Sequence, residues 1–145
     1  MPDAALIKQL QNYREEIISK QVEVLLNQRQ KIESETVLSE RAEITLSGVL
    51  AYIQNRDRKE VARLIDSIRC HFSTYNSDLA NSSFEFTAQV LIELTSLSEI
   101  LKQIMTRELS AKHRMVKKLE VRMESVILLV QLISNSSIFF QPKYS

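Results

Sequence analysis

His113 sits in a run of basic residues, with Arg107, Lys112, Arg114, Lys117, Lys118 and Arg122 around it. An imidazole among cations has the makings of a phosphoacceptor: a ring nitrogen can attack a phosphoryl group while the cations neutralise the incoming oxygens. Phosphotransfer centred on His113 is therefore one reading of the cluster. No ATP-binding segment accompanies it, and a solvated basic helix face explains the same residues with fewer demands. As a face, Lys112, Arg114, Lys117, Lys118 and Arg122 can hold an acidic partner protein. Glu108, Glu120 and Glu124 interrupt the positive charge and no aromatic side chains interleave for base stacking, so nucleic acid is not an expected partner.

The second histidine, His71, lies between Cys70 and Phe72. A Cys-His pair raises the idea of a covalently attached tetrapyrrole or of a haem ligand. A small hydrophobe beside a histidine at a helix edge is the plainer account. Carboxylates recur in pairs, at Glu15 and Glu16, Glu33 and Glu35, Glu40 and Glu43, and Glu120 and Glu124. A ferritin-like di-metal centre would need Glu-x-x-His on facing helices, and that motif does not occur. Gly-x-Ser-x-Gly, the P-loop and the metalloprotease helix motif are also missing from the sequence. The chain is expected to be no enzyme, with no catalytic residue, cofactor or metal ligand.

The elements that position these residues follow from the backbone punctuation. The 145 residues contain one glycine, Gly48, and two prolines, Pro2 and Pro142. Hairpin turns and phosphate-cradling loops need residues that accept positive φ, so strands and nucleotide loops have almost nothing to be built from. The expected fold is all-α, a globin-like or up-down helical bundle of about five helices with a long C-terminal helix. At this length it forms a single helical domain over 1–145, with its core at about 6–137 and a tail at 138–145.

Apolar periodicity places the helices. Leu6, Leu10, Tyr13 and Ile17 begin a first helix that runs on through Val22, Leu25 and Ile32 with a break near Asn12. The polar stretch 32–39 reads as a connection, and a second helix spans about 39–54 with Gly48 inside it, where a close helix crossing would explain the glycine. Asp57 with Glu60 has the spacing of a capping box and starts a third helix carrying Val61, Leu64, Ile65, Ile68, Phe72, Tyr75 and Leu79. Residues 76–83 form a polar turn, and Ser82 with Glu85 caps a fourth helix that carries Phe86, Val90, Leu91, Leu94, Leu97, Leu101, Ile104 and Met105.

The last helix, about 110–137, has the most regular pattern. Leu109, Val116, Leu119, Met123, Val126, Val130 and Ile133 alternate three- and four-residue steps as in a coiled coil. The run 126–130 is apolar on every face, so this helix is either central to the bundle or packed against a second copy; the seam is expected to form a dimer and relay interface. Beyond it, Ile138, Phe139 and Phe140 precede Pro142, which stops continuation. These three apolar residues are expected to fold back or to meet a partner.

Nineteen Lys and Arg against eighteen Asp and Glu leave a net charge of +1, so any charged partner must be recognised locally. One cysteine cannot form an intramolecular disulfide, which fits a reducing cytoplasm. No basic and apolar leader opens the sequence, and the longest apolar run is far short of the ~20 residues of a membrane span. A cytoplasmic chain with no membrane contact is expected.

Three segments carry a family resemblance: residues 14–18 (Arg-Glu-Glu-Ile-Ile), residues 50–57 (Leu-Ala-Tyr-Ile-Gln-Asn-Arg-Asp) ahead of an amphipathic helix, and a polar turn followed by two long helices. Over about 6–137 this order resembles the N-terminal sensor domain of RsbR-type stress regulators, a non-haem globin-like domain. The resemblance implies a homodimeric input domain in a stress response, which relays a signal through its C-terminal helix to an effector protein or a downstream signalling domain. The expected function is thus a non-enzymatic sensory or regulatory module. The competing reading is a protein-binding adaptor or scaffold bundle, tightly packed and exposing an apolar patch where a sensor would hold a cavity.

Overall fold

Side-chain caps from Ser34, Asp57 and Ser82 mark where three of the helices begin. In the computed structural model, which describes residues 2–28, 34–75, 77–108 and 113–134, these residues form seven helices and no strand. They are α1 (Pro2–Asn12), α2 (Arg14–Leu26), α3 (Glu35–Asn55), α4 (Arg58–Tyr75), the single turn α5 (Ser77–Ala80), α6 (Ser83–Glu108) and α7 (His113–Ser134). The chain is an all-α helical bundle.

The break expected near Asn12 lies at Tyr13, whose φ of −110° and ψ of 21° leave the helical path between α1 and α2. Helix α2 then stops at Leu26, short of the expected Ile32, which lies outside the described residues. Helix α3 begins four residues ahead of the expected start at 39. Ser34 supplies the cap: its backbone is extended, and its Oγ accepts the Val37 N–H at 3.3 Å, satisfying one of the helix's unpaired donors. At the other end Arg56 takes the left-handed conformation, φ 51°, and its N–H donates to the Tyr52 carbonyl.

Asp57 caps α4 as its type suggests, with Oδ1 accepting the Lys59 N–H at 2.9 Å. The reciprocal half of the box is different from expectation. Glu60 does not reach back to residue 57; its Oε2 accepts from the Asn55 amide at 2.8 Å and ties the end of α3 to the start of α4. Ser82 does cap α6, through a bond from the Glu85 N–H at 3.4 Å.

Two antiparallel pairs frame the bundle. Helices α3 and α4 pack closely because Gly48 lacks a side chain: a Cβ there would stand 2.6 Å from Leu64 Cδ1 and 3.0 Å from Leu64 Cβ. The close crossing expected at this glycine is its explanation. The second pair is α6 with α7. Helix α2 lies against both α3 and α6, and α7 also touches α4 and α3. One apolar cluster draws side chains from all seven helices, from Leu6 and Leu10 in α1 to Val126 and Val130 in α7. A smaller cluster of Val22, Leu25, Leu38 and Ala42 joins α2 to α3.

The position of α7 corrects the expected dimer and relay seam. Leu119, Met123, Val126 and Val130 have no exposed surface, Ile133 is buried, and Val116 is half-buried against the same cluster. Leu109 lies outside the described residues. Leu119, Met123, Val126 and Val130 are already covered by α3, α4 and α6 of their own chain, so they have no apolar surface to offer a second copy. The inner-helix alternative is the one the structure takes.

Candidate functional site

Two places stand apart from the ordinary pattern of apolar inside and polar outside. The first is a polar cluster in the core. Arg41 on α3 and Glu93 on α6 are each almost wholly buried, and Arg41 Nε donates to both carboxylate oxygens of Glu93 at 3.0 Å. The Gln89 amide donates to Glu93 Oε2 at 2.9 Å. From α2, the buried Gln21 amide donates to the Glu93 backbone carbonyl at 2.9 Å. The guanidinium carbon of Arg41 lies 4.2 Å from the centre of the Phe72 ring on α4, a cation–π contact. Thr45 Oγ donates to the Arg41 carbonyl one turn back. A charge taken out of water is tolerated only when paired and hydrogen-bonded, and here the pairing binds four helices in one register. Gln21 Oε1 is the buried atom of this cluster without a hydrogen-bond partner.

His71 belongs to the edge of this region. Its Nε2 is 3.2 Å from Glu40 Oε1, its ring packs on Tyr75 at 5.0 Å, and its Nδ1 is buried without a partner. Cys70 is exposed while His71 is buried, so the adjacent pair faces opposite ways and makes no joint ligand set. Arg69 stacks over Phe86 at 5.0 Å; burial pulls its guanidinium pKa down and nearby Asp66 opposes that shift. No group of three or more His, Cys, Asp or Glu among the described residues is placed to hold a metal ion.

The second place is on the surface. Phe84, in the first turn of α6, is 82% exposed, and Leu128 and Leu132 on α7 are each more than half exposed. With Thr87, Ala88 and Leu91 they line an open groove of about 520 Å³ between the start of α6 and the end of α7. Ser134 also lines the groove, and its buried Oγ has no hydrogen-bond partner among the described residues. Val121, also about half exposed, carries the apolar face two turns further along α7. Val121, Ser125, Leu128 and Leu132 follow each other at four, three and four residues. This second seam runs along α7 at the same spacing as the buried one but on its outer side.

The basic face is in part where the sequence put it. His113, Arg114 and Lys117 are exposed, Lys118 and Arg122 are half-buried, and Lys112 lies outside the described residues. His113 opens α7 without a described acid or base to activate it. The sequence reading missed the exposed groove, although a signal was present: Leu128 falls within the run 126–130 that is apolar on every face. It missed the buried ion pair as well. Arg41 interrupts the inward stripe of Leu38, Ala42 and Thr45, and Glu93 stands within that of Val90, Leu94 and Leu97, so a single opposite charge in each of two stripes was the available clue.

Searches with this chain match no family model, no curated protein and no solved structure. No helix among the described residues is long and apolar enough to cross a membrane.

Proposed function

We propose that the chain is a non-enzymatic protein-interaction module that docks a helix of a partner protein on the outer face of α6 and α7, in the manner of an adaptor. The observation that carries this reading is the apolar stripe of Phe84, Leu128 and Leu132, continued by Val121, on a chain with a net charge of only +1. Contiguous apolar surface held on rigid helices marks an interaction site, and side chains at four- and three-residue steps are what a partner helix packs into. The half-basic edge formed by Arg114, Lys117 and Arg122 gives the partner helix an orientation, favouring one that carries acidic residues along its flank. A second copy of this chain is the homodimeric version of the same contact.

The test places a photo-crosslinking residue at Phe84 and compares it with the same protein carrying Leu128→Asp and Leu132→Asp. A discrete adduct, to another protein or to a second copy, that disappears in the Asp variant with the helical signal unchanged supports the reading. Adducts that persist in the Asp variant, or a chain that forms none, remove it.

A sensory input role, as the family resemblance implies, is favoured by a different observation. The Arg41 and Glu93 pair couples α2, α3, α4 and α6, and a displacement of any one of them would strand a buried charge. Such an element switches between discrete states and does not deform smoothly. A signal that changes helix packing should then alter hydrogen exchange at α3 and α6 together; exchange that changes in only one of them would argue against it.

A further inference from the structure

Helices α3 and α6 run the same way, because both lie antiparallel to α2. Against α6, Gln21 meets the Glu93 carbonyl and Glu16 meets Arg107; against α3, Arg14 meets Ser47 at 2.8 Å and Leu25 shares a cluster with Leu38. Asn55 on α3 and Arg107 on α6 are equally far beyond the Arg41 and Glu93 pair, about 21 Å at ~1.5 Å per residue. The start of α4 and the start of α7 therefore share one end of the bundle, on helices that touch.

That end is cationic. Arg58 and Lys59 on α4 and Arg114 and Lys117 on α7 are exposed and have no ion pair among the described residues. The described carboxylates nearby are engaged elsewhere: Glu60 with Arg63 and Asn55, Glu16 with Arg107, Glu120 with Lys102, and Asp57 with the Lys59 N–H. Arg58, Lys59 and Arg114 stand in the first turn of their helices, where the helix dipole disfavours positive charge, so their placement does not serve the stability of the bundle. On α7 the cations run into the outer apolar seam. Arg114, Lys117, Val121, Ser125, Leu128 and Leu132 follow one another at three and four residues.

We infer that this cationic end is the second half of the docking face and holds an acidic stretch of the docked partner, which rests on the docking proposed above and adds the chemistry of the partner's other half. From Leu132 to Arg114 the seam is about 27 Å long, the length of a partner helix of ~18 residues. Glu124, exposed beside the apolar part of the seam, repels carboxylates there, so the partner's acidic residues lie beyond Val121 and reach Arg58 and Lys59 at the bundle end. A membrane surface fits this end less well. None of the exposed large apolar residues falls between 52 and 64 or between 102 and 118, so nothing there inserts among acyl chains, and a few cations alone hold a lipid surface weakly. The same stretches present no exposed aromatic ring on which a base could stack.

Two fluorescein-labelled peptides test this against the full chain, by anisotropy at low salt. One has eighteen residues, with leucines at three- and four-residue steps in one half and glutamates in the other; the second is ten glutamates. The mixed peptide is expected to bind. Arg58→Glu with Lys59→Glu should weaken it roughly tenfold, as should Arg114→Gln with Lys117→Gln, and both effects should fade in high salt. Glutamates in the first turn of α4 suit its dipole, so the first variant keeps its helical signal in circular dichroism. A mixed peptide that does not bind, or whose affinity neither charge variant changes, overturns the inference. If Leu128→Asp with Leu132→Asp still abolishes binding that the charge variants leave alone, the docking reading stands without it. If the charge variants weaken both peptides and the Asp variant weakens neither, the cationic end stands and the docking reading falls. Phosphatidylserine vesicles or a strand of twenty thymidines bound more tightly than either peptide, and released by the same charge variants, overturn it by assigning this end to a lipid surface or a nucleic acid. Low-salt association of the native chain that the charge variants reverse assigns it to a second copy, with the same consequence.

Discussion

Arg41 and Glu93 show how much one buried residue depends on another. Each is within 2% of full burial at the side chain, and the carboxylate accepts from Arg41 and Gln89 together. Glu93→Leu alone leaves a guanidinium buried without its counter-charge and should cost about 3–5 kcal/mol in urea unfolding. Arg41→Met combined with Glu93→Leu removes both charges and should come within about 1 kcal/mol of the native chain, or exceed it. A double variant as weak as the single one would mean that the cation–π contact to Phe72, not the ion pair, holds this position. Gly48 poses a smaller question of sign. Alanine gains about 1 kcal/mol of helix propensity, but its Cβ meets three atoms of Leu64 at 2.6 to 3.1 Å, and overpacking of that kind costs about 1–3 kcal/mol. Gly48→Ala should therefore be net destabilising by about 1 kcal/mol in the same denaturation measurement.

At the scale of the element, α7 has two apolar seams with opposite fates. Its inner seam is buried in the bundle and its outer one is exposed, although the residue spacing is the same in both. Val126→Asp with Val130→Asp puts charges into the core and should abolish the cooperative melt followed by circular dichroism, because a buried unpaired carboxylate costs several kcal/mol. Leu128→Asp with Leu132→Asp, one turn apart on the outer side, should leave the melting temperature within a few degrees, since exposed substitutions stay near ±0.5 kcal/mol each. Had the outer pair unfolded the protein and the inner pair only separated subunits, the helix would be turned over relative to this structure.

For the whole molecule, the bundle is also tied across its surface. Arg107 near the end of α6 grips Glu16 of α2 with two bonds, 2.7 and 3.0 Å. The hydrogen bonds from Arg107 hold the Glu16 carboxyl below its ordinary value of 4.5, with burial opposing them and the charges of Arg107 and Lys20 adding to them. A carboxylate depressed in the folded state contributes stability that is fully present above its unfolded pKa and lost as pH falls through the lower folded value. Thermal melts should therefore fall more gently on the acid side of pH 4.5 for Glu16→Gln than for the native chain, and the difference should shrink in high salt because the pair is exposed. A native chain and a variant with parallel acid limbs would show that the pair adds nothing to folding.

Much of the element plan was legible in local sequence because its causes are local. A scarcity of glycine and proline denies the backbone any turn but a capped helix end, Ser82 and Asp57 mark starts by their own hydrogen bonds, and the stripe Val61, Leu64, Ile65, Ile68 and Phe72 is an inward face at helical spacing. Ser34 was readable in the same way, but the polar residues after it masked a helix whose apolar face starts only at Leu38. What the sequence by itself determined was thus an all-α chain, the starts of α4 and α6, and most core-facing positions. Which side of α7 faces inward is a different matter. Two seams of equal spacing on one helix are equivalent until α3, α4 and α6 cover one of them, and Arg41 and Glu93 are ordinary surface charges until two helices bring them within 3.0 Å. Only the tertiary structure decided these, because burial belongs to the contact between elements and no single element carries it.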